Sequence, residues 1–568
     1  MDKDKLAKRS AEAVRAAVGY LFDRQRADGA WTDRLSSSPM TTAMGILAFA
    51  RADPAAHRDR IAAGLAWLER NQRADGGWSM ADTFPPSSPG TTAFAVAAFE
   101  ALAPTTTRDR IDRAQAFIAA NGGESVIPGM QGPGPRSWPA AAAIAYVLAG
   151  LRDPSQQPYQ PFEVMLLPAK LRNKVSIGLP GVLALGIMQA RTMKAGPLRR
   201  IAQRAAEPKA LAWLRSVLGP NGGVEECPML SAFIYIGLAE AGVAEDIQRA
   251  SLSYLLETQR DDGSWAVDRD LEIAVTAYAI LGLAEVEDVA LDSRLEATRE
   301  WLLSTQWTEP FLPLDMPAGA WSWNVPSGWP ESEDTAVVLS ALGLLGLRQG
   351  HPAIARGLDW LRTRQNRNGS WSEWVRNSNL LNDRPCAGVT AHVLMALHDH
   401  GEPFGRRSPG ERALRYLERA QRPDGATPSI WFRDDTHGTA KVLEAYAAIG
   451  RKRDQVALNA RRFLLEQQRP DGAWPVDVVV GAESGTVEET SWAVFALLAA
   501  GEDPWSTPVT EAVEWLLDRQ DSDGTWPESP VGLYFDDLCY ASDLITHTYT
   551  LRALGRWCRA TSTSVGAV

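Results

Sequence analysis

A chain of 568 residues has room for about two to four domains. Its 45% hydrophobic and 22% charged residues exclude wholesale disorder, and a formal charge of −11 offers no basic footprint for general nucleic-acid binding. Cys227, Cys386, Cys539 and Cys558 stand far apart with no CxxC, so neither a disulfide framework nor a zinc ribbon is indicated and a reducing compartment is expected.

The chain opens on MDKDKLAKRSAEAVRAAVGYLF, an amphipathic helix broken by charges and without a signal-peptide core. Further on, apolar stretches such as Leu179–Met188 are far short of a membrane span. The expectation is a cytoplasmic protein, with association at a membrane surface left open.

Tryptophan is over-used: 21 Trp against 11 Tyr and 14 Phe. A repeat places them, and repeats are read first. Gln-x3-Gly-x-Trp runs from Gln25 to Trp31, Gln72 to Trp78, Gln259 to Trp265, Gln365 to Trp371, Gln468 to Trp474 and Gln520 to Trp526. A seventh copy at Gln421 and Gly425 carries Thr427 in place of Trp, and Asn221-Gly222-Gly223 is a worn copy. Before each motif comes an amphipathic helix, as in GLAWLERNQ or AVEWLLDRQ; after it comes a polar loop and a helix rich in Ala and Leu, as in TTAFAVAAFEAL. Gly at the turn admits positive φ, and helix pairs repeated this way close into α/α barrels or open into solenoids. The motif's Gln and Trp read as staples between one helix end and the next loop, not as catalytic groups.

Two segments break the rhythm. From about residue 128 to 200 the repeat gives way to Pro- and Gly-rich stretches and PFEVMLLPAKLRNKVSIGLPG. From Trp307 to Pro330 runs a long aromatic loop, WTEPFLPLDMPAGAWSWNVPSGWP, longer than the roughly 12–15 residues beyond which a loop is usually functional or disordered; its tryptophans argue against disorder. Directly after it stand Glu331, Glu333 and Asp334 at the start of the helix TAVVLSALGLL. Acids there cap free N–H groups and suit the helix dipole. Crowding also raises their pKa values, so one can stay protonated and act as an acid, and neighbouring rings can hold the cation that results.

These segments together resemble the squalene-hopene cyclase and oxidosqualene cyclase family over almost the whole chain. The repeats look like its QW motifs, GAWSWNVPSGWPESEDTAVVLSAL resembles its GGFAF…YPDxDDTAVV segment, and PFEVMLLP, VTAHVLMAL and ETSWAVFALLAAGE resemble three more of its segments. The resemblance implies an all-α fold of two α/α barrels in a βγ arrangement with the active site between them. One barrel joins an N-terminal helix (1–29) to the C-terminal half (269–568) carrying the acid, and 30–268 forms the inserted barrel.

It further implies that Glu333 is the proton donor, with Glu331 and Asp334 as flanking acids and His392 as the partner that strengthens it. Trp321, Trp323, Trp492 and Tyr540 are implied to line the substrate cavity and stabilise cations. Two departures matter. DxDD reads ExED, and the aromatic positions that serve later rings are lost at Ile177–Val182 and Leu271–Thr276. A shorter substrate follows: a fifteen- or twenty-carbon prenyl diphosphate or another short prenyl chain, its headgroup bound by Lys170, Arg172 and Lys174. No redox cofactor is required, Mg²⁺ enters only with a diphosphate, and a homodimer is left open.

Other readings are a squalene-hopene-type triterpene cyclase, a meroterpenoid cyclase, a prenyltransferase-like barrel with zinc on Asp383, Cys386 and His392, an α/α barrel acting on carbohydrate, and a non-catalytic helical-repeat binding protein. Diphosphate ionisation on a DDxxD is disfavoured, because Asp261-Asp262, Asp434-Asp435 and Asp536-Asp537 lack the third Asp.

Overall fold

The computed structural model describes residues 2–82, 86–126, 139–153, 159–176, 178–286, 288–380, 383–432, 435–475, 485–530, 532–535 and 538–565. Ile177, Asp434, Asp536 and Asp537 lie outside them. Two kinds of helix alternate. Helices such as Pro352–Arg364 bury one stripe (Ile354, Leu358, Leu361) and expose the rest, the pattern of an element with core on one side only. The helices that follow each motif are buried on almost every side, as Val487–Ala500 is from Val487 to Leu498, so they must form an inner layer.

In the C-terminal half six such inner helices close a ring: Glu272–Leu283, Ser332–Leu344, Ala387–Asp399, Asp435–Ala448, Val487–Ala500 and Asp543–Val565, each packed on the next and the last on the first. Helices Glu296–Ser304, Pro352–Arg364, Pro409–Ala420, Gln455–Gln467 and Thr507–Leu517 pack outside them. The N-terminal helix Lys3–Arg24 completes this outer layer against Asp543–Val565 and Thr507–Leu517. The result is a double-layered α/α barrel. In the other half the inner helices pack in the spatial order Pro139–Leu148, Pro89–Leu102, Pro39–Ala52, Pro228–Ala241, Leu179–Thr192, again with amphipathic helices outside. Residues 31–38 join the halves: Ser38 N–H donates to the Trp265 carbonyl (2.8 Å) and Ser36 N–H to that of Ala541 (2.9 Å). The named strands pair only as short two-stranded antiparallel ribbons.

The motif is a staple with four hydrogen bonds. In the copy at Gln365 the amide donates to the carbonyls of Gly369 (2.9 Å) and Pro409 (2.8 Å), the second on the next outer helix. The Trp371 indole N–H reaches back to the Leu361 carbonyl (2.8 Å), and its backbone N–H bonds Thr390 of the next inner helix (3.0 Å). Gly369 has φ +98°, and a Cβ there would stand 2.2 Å from the Arg412 carbonyl oxygen, so glycine is required. The copy with Thr427 keeps the Gln421 bonds, to Gly425 and Val456.

A further copy is hidden by an insertion. Gln306 donates to Gly319 (2.8 Å) and Ala353 (2.9 Å), and the Trp321 indole N–H to Leu302 (2.7 Å). Residues 307–318 sit between the two halves of this motif. Among the described residues no helix is long and apolar enough to cross a membrane.

Candidate active site

One cavity is lined by residues near the starts of Glu272–Leu283, Ser332–Leu344 and Asp543–Val565. At the first residues of Ser332–Leu344 three carboxyls enter it: Glu331, Glu333 and Asp334, all buried. A fourth, Glu373, arrives from the loop after Trp371. It caps the helix from outside, its carbonyl accepting Ser332 N–H (3.2 Å) and its Oε2 accepting Glu333 N–H (3.0 Å). Helix Ala387–Asp399 brings His392, whose Nδ1 stands 2.9 Å from Glu333 Oε1.

Burial drives the protonation of this cluster. Glu331 is held well above the usual carboxyl range by burial and by Asp334, to which it hydrogen-bonds, while burial pushes Asp334 to about 6. Glu331 therefore keeps a proton that it shares with Asp334. Glu373 is raised well above its ordinary value by burial first and by Glu333 next. Behind His392, burial and Lys441 hold His437 neutral, its ring 6.4 Å from that of His392.

Facing the acids is a continuous aromatic wall. Trp323 meets Trp374 edge-on (5.9 Å, 70°), Trp374 meets Trp431 (5.2 Å, 87°), Trp431 meets Tyr534 (6.3 Å), and Tyr534 lies 5.0 Å from Tyr540. All five line the cavity. The indole N–H groups of the three tryptophans have no partner among the described residues, so these rings meet the cavity through their faces. A second polar patch on the wall holds Glu225 and Asp268. Asp268 accepts from the Tyr534 hydroxyl, and burial pushes it up to about 8.

Of the sequence candidates, Glu331, Glu333, Asp334, His392, Trp323 and Tyr540 come together here. Trp321 does not: its backbone and indole N–H bonds, to Thr335 and Leu302, are those of the repeat, and it is fully buried away from the cavity. Trp492 also stands off the wall, packed between Phe432 (5.2 Å), His437 (4.7 Å) and Tyr549 (5.6 Å). The basic triad lies outside too. Lys170 and Lys174 are exposed, with Lys174 Nζ on the Asn377 carbonyl (3.1 Å), and Arg172 reaches that of Pro313 (3.3 Å). Gly178, a few residues on, does line the cavity, so the triad sits beside the wall rather than in it. The zinc alternative loses its geometry: Asp383 accepts the Trp374 and Val375 N–H groups, Cys386 faces Ser429, and His392 faces Glu333.

Sequence reasoning missed Trp374, Trp431, Glu373, Glu225 and Asp268. A signal existed for the first. Trp323 and Trp374 each follow a repeat tryptophan closely, in the loop that leads to an inner helix.

Buried carboxyls also give the fold a pH signature. Burial raises Asp33 and Asp383 to about 7 and Asp268 to about 8, from 3.8. A raised folded pKa contributes stability that is complete below the unfolded value and is lost as pH rises through the folded one. His437 and His547 act in the opposite sense, but only below their ordinary 6.5. Between about pH 6.5 and 8 the Tm should therefore fall, most simply followed by calorimetry. A Tm that climbs across that window would contradict the assignment, and Asp268→Asn should flatten the slope.

Against known proteins, residues 271–558 match the model of the squalene-hopene cyclase C-terminal domain and residues 14–176 that of its N-terminal domain. The chain belongs to the squalene-hopene cyclase family. It is 26% identical over 406 residues to the squalene-hopene cyclase of Alicyclobacillus acidocaldarius, covering 63% of this chain and 62% of that protein. With a probable squalene-hopene cyclase of Sinorhizobium fredii it shares 30% over 261 residues, covering 39% and 40%. The matched part is thus less than two thirds of either relative's length. Among solved structures, the ent-copalyl diphosphate synthase of Streptomyces platensis shares the fold at a TM-score of 0.55 and 19% identity, covering 98% of this chain and all of that one.

Proposed function

We propose that the protein is a class II terpene cyclase that protonates the terminal alkene of a linear isoprenoid and guides the resulting cation through ring closures. The observation that carries this is a buried carboxyl beside a histidine, opening onto an apolar cavity walled by tryptophan faces. Glu333 gives its proton to the alkene carbon. The carboxylate it leaves is stabilised by His392 at 2.9 Å, while Glu331 and Asp334 share a proton so that little further charge accumulates beside it. The new tertiary cation and its successors travel along Trp323, Trp374 and Trp431, where a desolvated cation–π contact contributes about 2 kcal/mol or more. Loss of a proton or capture of water ends the sequence. The proton balance closes without a redox cofactor; Mg²⁺ enters only as a partner of a diphosphate.

The substrate we favour is a fifteen- or twenty-carbon prenyl diphosphate or a similar short prenyl chain. The described cavity wall bears the carboxyls of Glu225, Asp268, Glu331, Glu333, Asp334 and Glu373 and no Lys, Arg or His. An anionic headgroup is therefore kept out of the cavity. The nearby strip from Lys170 to Lys174 offers the charge that would hold it at the edge, arginine suiting phosphate geometrically. Exposed Leu166, Leu167, Leu171 and Val175 on the same strip would let this face rest on a membrane.

Incubating the purified protein with farnesyl diphosphate, geranylgeranyl diphosphate and squalene, and identifying the products, tests the reading. Cyclisation of a prenyl diphosphate is expected. No cyclised product from any of the three would overturn it, and efficient conversion of squalene to a pentacycle would overturn the short-chain assignment. Arg172→Ala with Lys174→Ala should raise KM for the diphosphate by roughly tenfold or more, the size of a lost charge-assisted hydrogen bond, and leave KM for the corresponding prenol nearly unchanged.

A further inference from the structure

Glu373 is needed by the fold at one oxygen only. Its Oε2 takes the Glu333 N–H (3.0 Å), and its carbonyl takes Ser332 N–H and the Ser332 hydroxyl (3.1 Å). That much is capping of the helix Ser332–Leu344. Its Oε1 is buried, has no partner among the described residues, and belongs to a side chain that lines the cavity beside Trp374 at only 2% exposure. Capping uses a hydrogen-bond acceptor, and a glutamine carbonyl supplies one equally well. Nothing in the capping explains a carboxyl, whose second oxygen is left bare in an apolar cavity where an unmet polar group is costly.

The neighbours of that oxygen make it an acid. Burial and the closeness of Glu333 keep Glu373 protonated, and the free oxygen is the natural seat of the proton, because Oε2 is occupied as an acceptor. We propose that Glu373 is a second catalytic acid of this cavity, presenting a proton to the same alkene end as Glu333. In the step, the Glu373 O–H bond breaks, the π pair of the terminal alkene forms a new C–H bond at its less substituted carbon, and a tertiary cation remains at the other. The Glu373 carboxylate left behind keeps the Glu333 N–H, at the positive end of the helix dipole. It regains a proton when the final cation loses one. Glu333, beside His392, carries most of the flux, and Glu373 carries what remains when Glu333 cannot donate.

This rests on the reading of the cavity as a protonation site, so the test separates the two. Glu333→Gln, Glu373→Gln and the double variant are compared for kcat, KM and Tm on whichever isoprenoid the unmodified protein cyclises. Glu373→Gln keeps the cap, so its Tm should match that of the unmodified protein, and the kinetic loss is read against the Glu333→Gln background, where Glu373 is the donor that remains. The double variant should fall a further tenfold or more below Glu333→Gln alone. If the double variant equals Glu333→Gln, Glu373 is a cap and the proposal fails while Glu333 stands. If the double variant is as active as the unmodified protein, protonation by this cluster fails as a whole.

Discussion

Glu333→Gln should lower turnover by roughly 10²–10⁴, the range that a positioned acid contributes, and leave the fold intact. The amide is nearly isosteric, and its oxygen can still face His392 Nδ1 across the 2.9 Å gap that Glu333 Oε1 now spans. What it lacks is an acidic proton. Stability should change little, because the helix start is held by Glu373 and by the Ser332 hydroxyl on the Ser372 carbonyl (2.7 Å), not by the Glu333 side chain. Asp334→Asn and Glu331→Gln act differently. Each removes half of a proton-sharing pair, so their effect should be smaller and should appear first in the pH dependence. Single-turnover rates and thermal melts on the three variants check this ordering. A Glu333→Gln variant at near-normal rate would transfer the donor role to another carboxyl of the cluster.

Much of this architecture is legible in the sequence because its staples are local. Gln, Gly and Trp at fixed spacing demand one turn geometry, and the helices on either side announce themselves by an amphipathic stripe or its absence. The copy at Gln306 escapes the pattern only because residues 307–318 are inserted inside it, so Trp321, which the resemblance places in the cavity, does not read as a staple. The acid cluster is legible because three carboxyls at a helix start beside an aromatic loop are unusual. The aromatic wall is harder to read. Inner helices are buried on all sides, so Trp492 on Val487–Ala500 looks as eligible as any other, and no periodicity says which side meets the cavity. The actual wall comes from loops at helix starts: Trp323, Trp374 and Trp431 all lie there. Glu373 and Asp268 are single acids in polar loops, and only the packing of distant segments turns them inward. For the basic residues the lining is what the sequence leaves out: Gly178 borders the cavity, while Lys170, Arg172 and Lys174 lie outside its lining.

Trp371 and Trp374 put that distinction to a direct test, since three positions separate a staple from a cavity wall. Trp371 is fully buried, and both of its N–H groups are bonded, to Leu361 and Thr390. Trp371→Ala removes the largest side chain available and breaks the tie between two helical layers, so a loss of about 3–5 kcal/mol is expected, read as a lower denaturant midpoint. Whatever protein remains folded should make the normal products. Trp374 is the reverse case. Its indole N–H has no partner among the described residues, and its ring stands between Trp323 and Trp431. Trp374→Leu keeps apolar volume and should cost much less stability. It removes a ring face from the cation's path, and about 2 kcal/mol of lost cation–π stabilisation amounts to roughly a 30-fold slower step. Products that stop before the last ring should then accumulate. A Trp374→Leu variant with unchanged products and rate would make that ring packing alone, and would leave Trp323 and Trp431 to account for the cation by themselves.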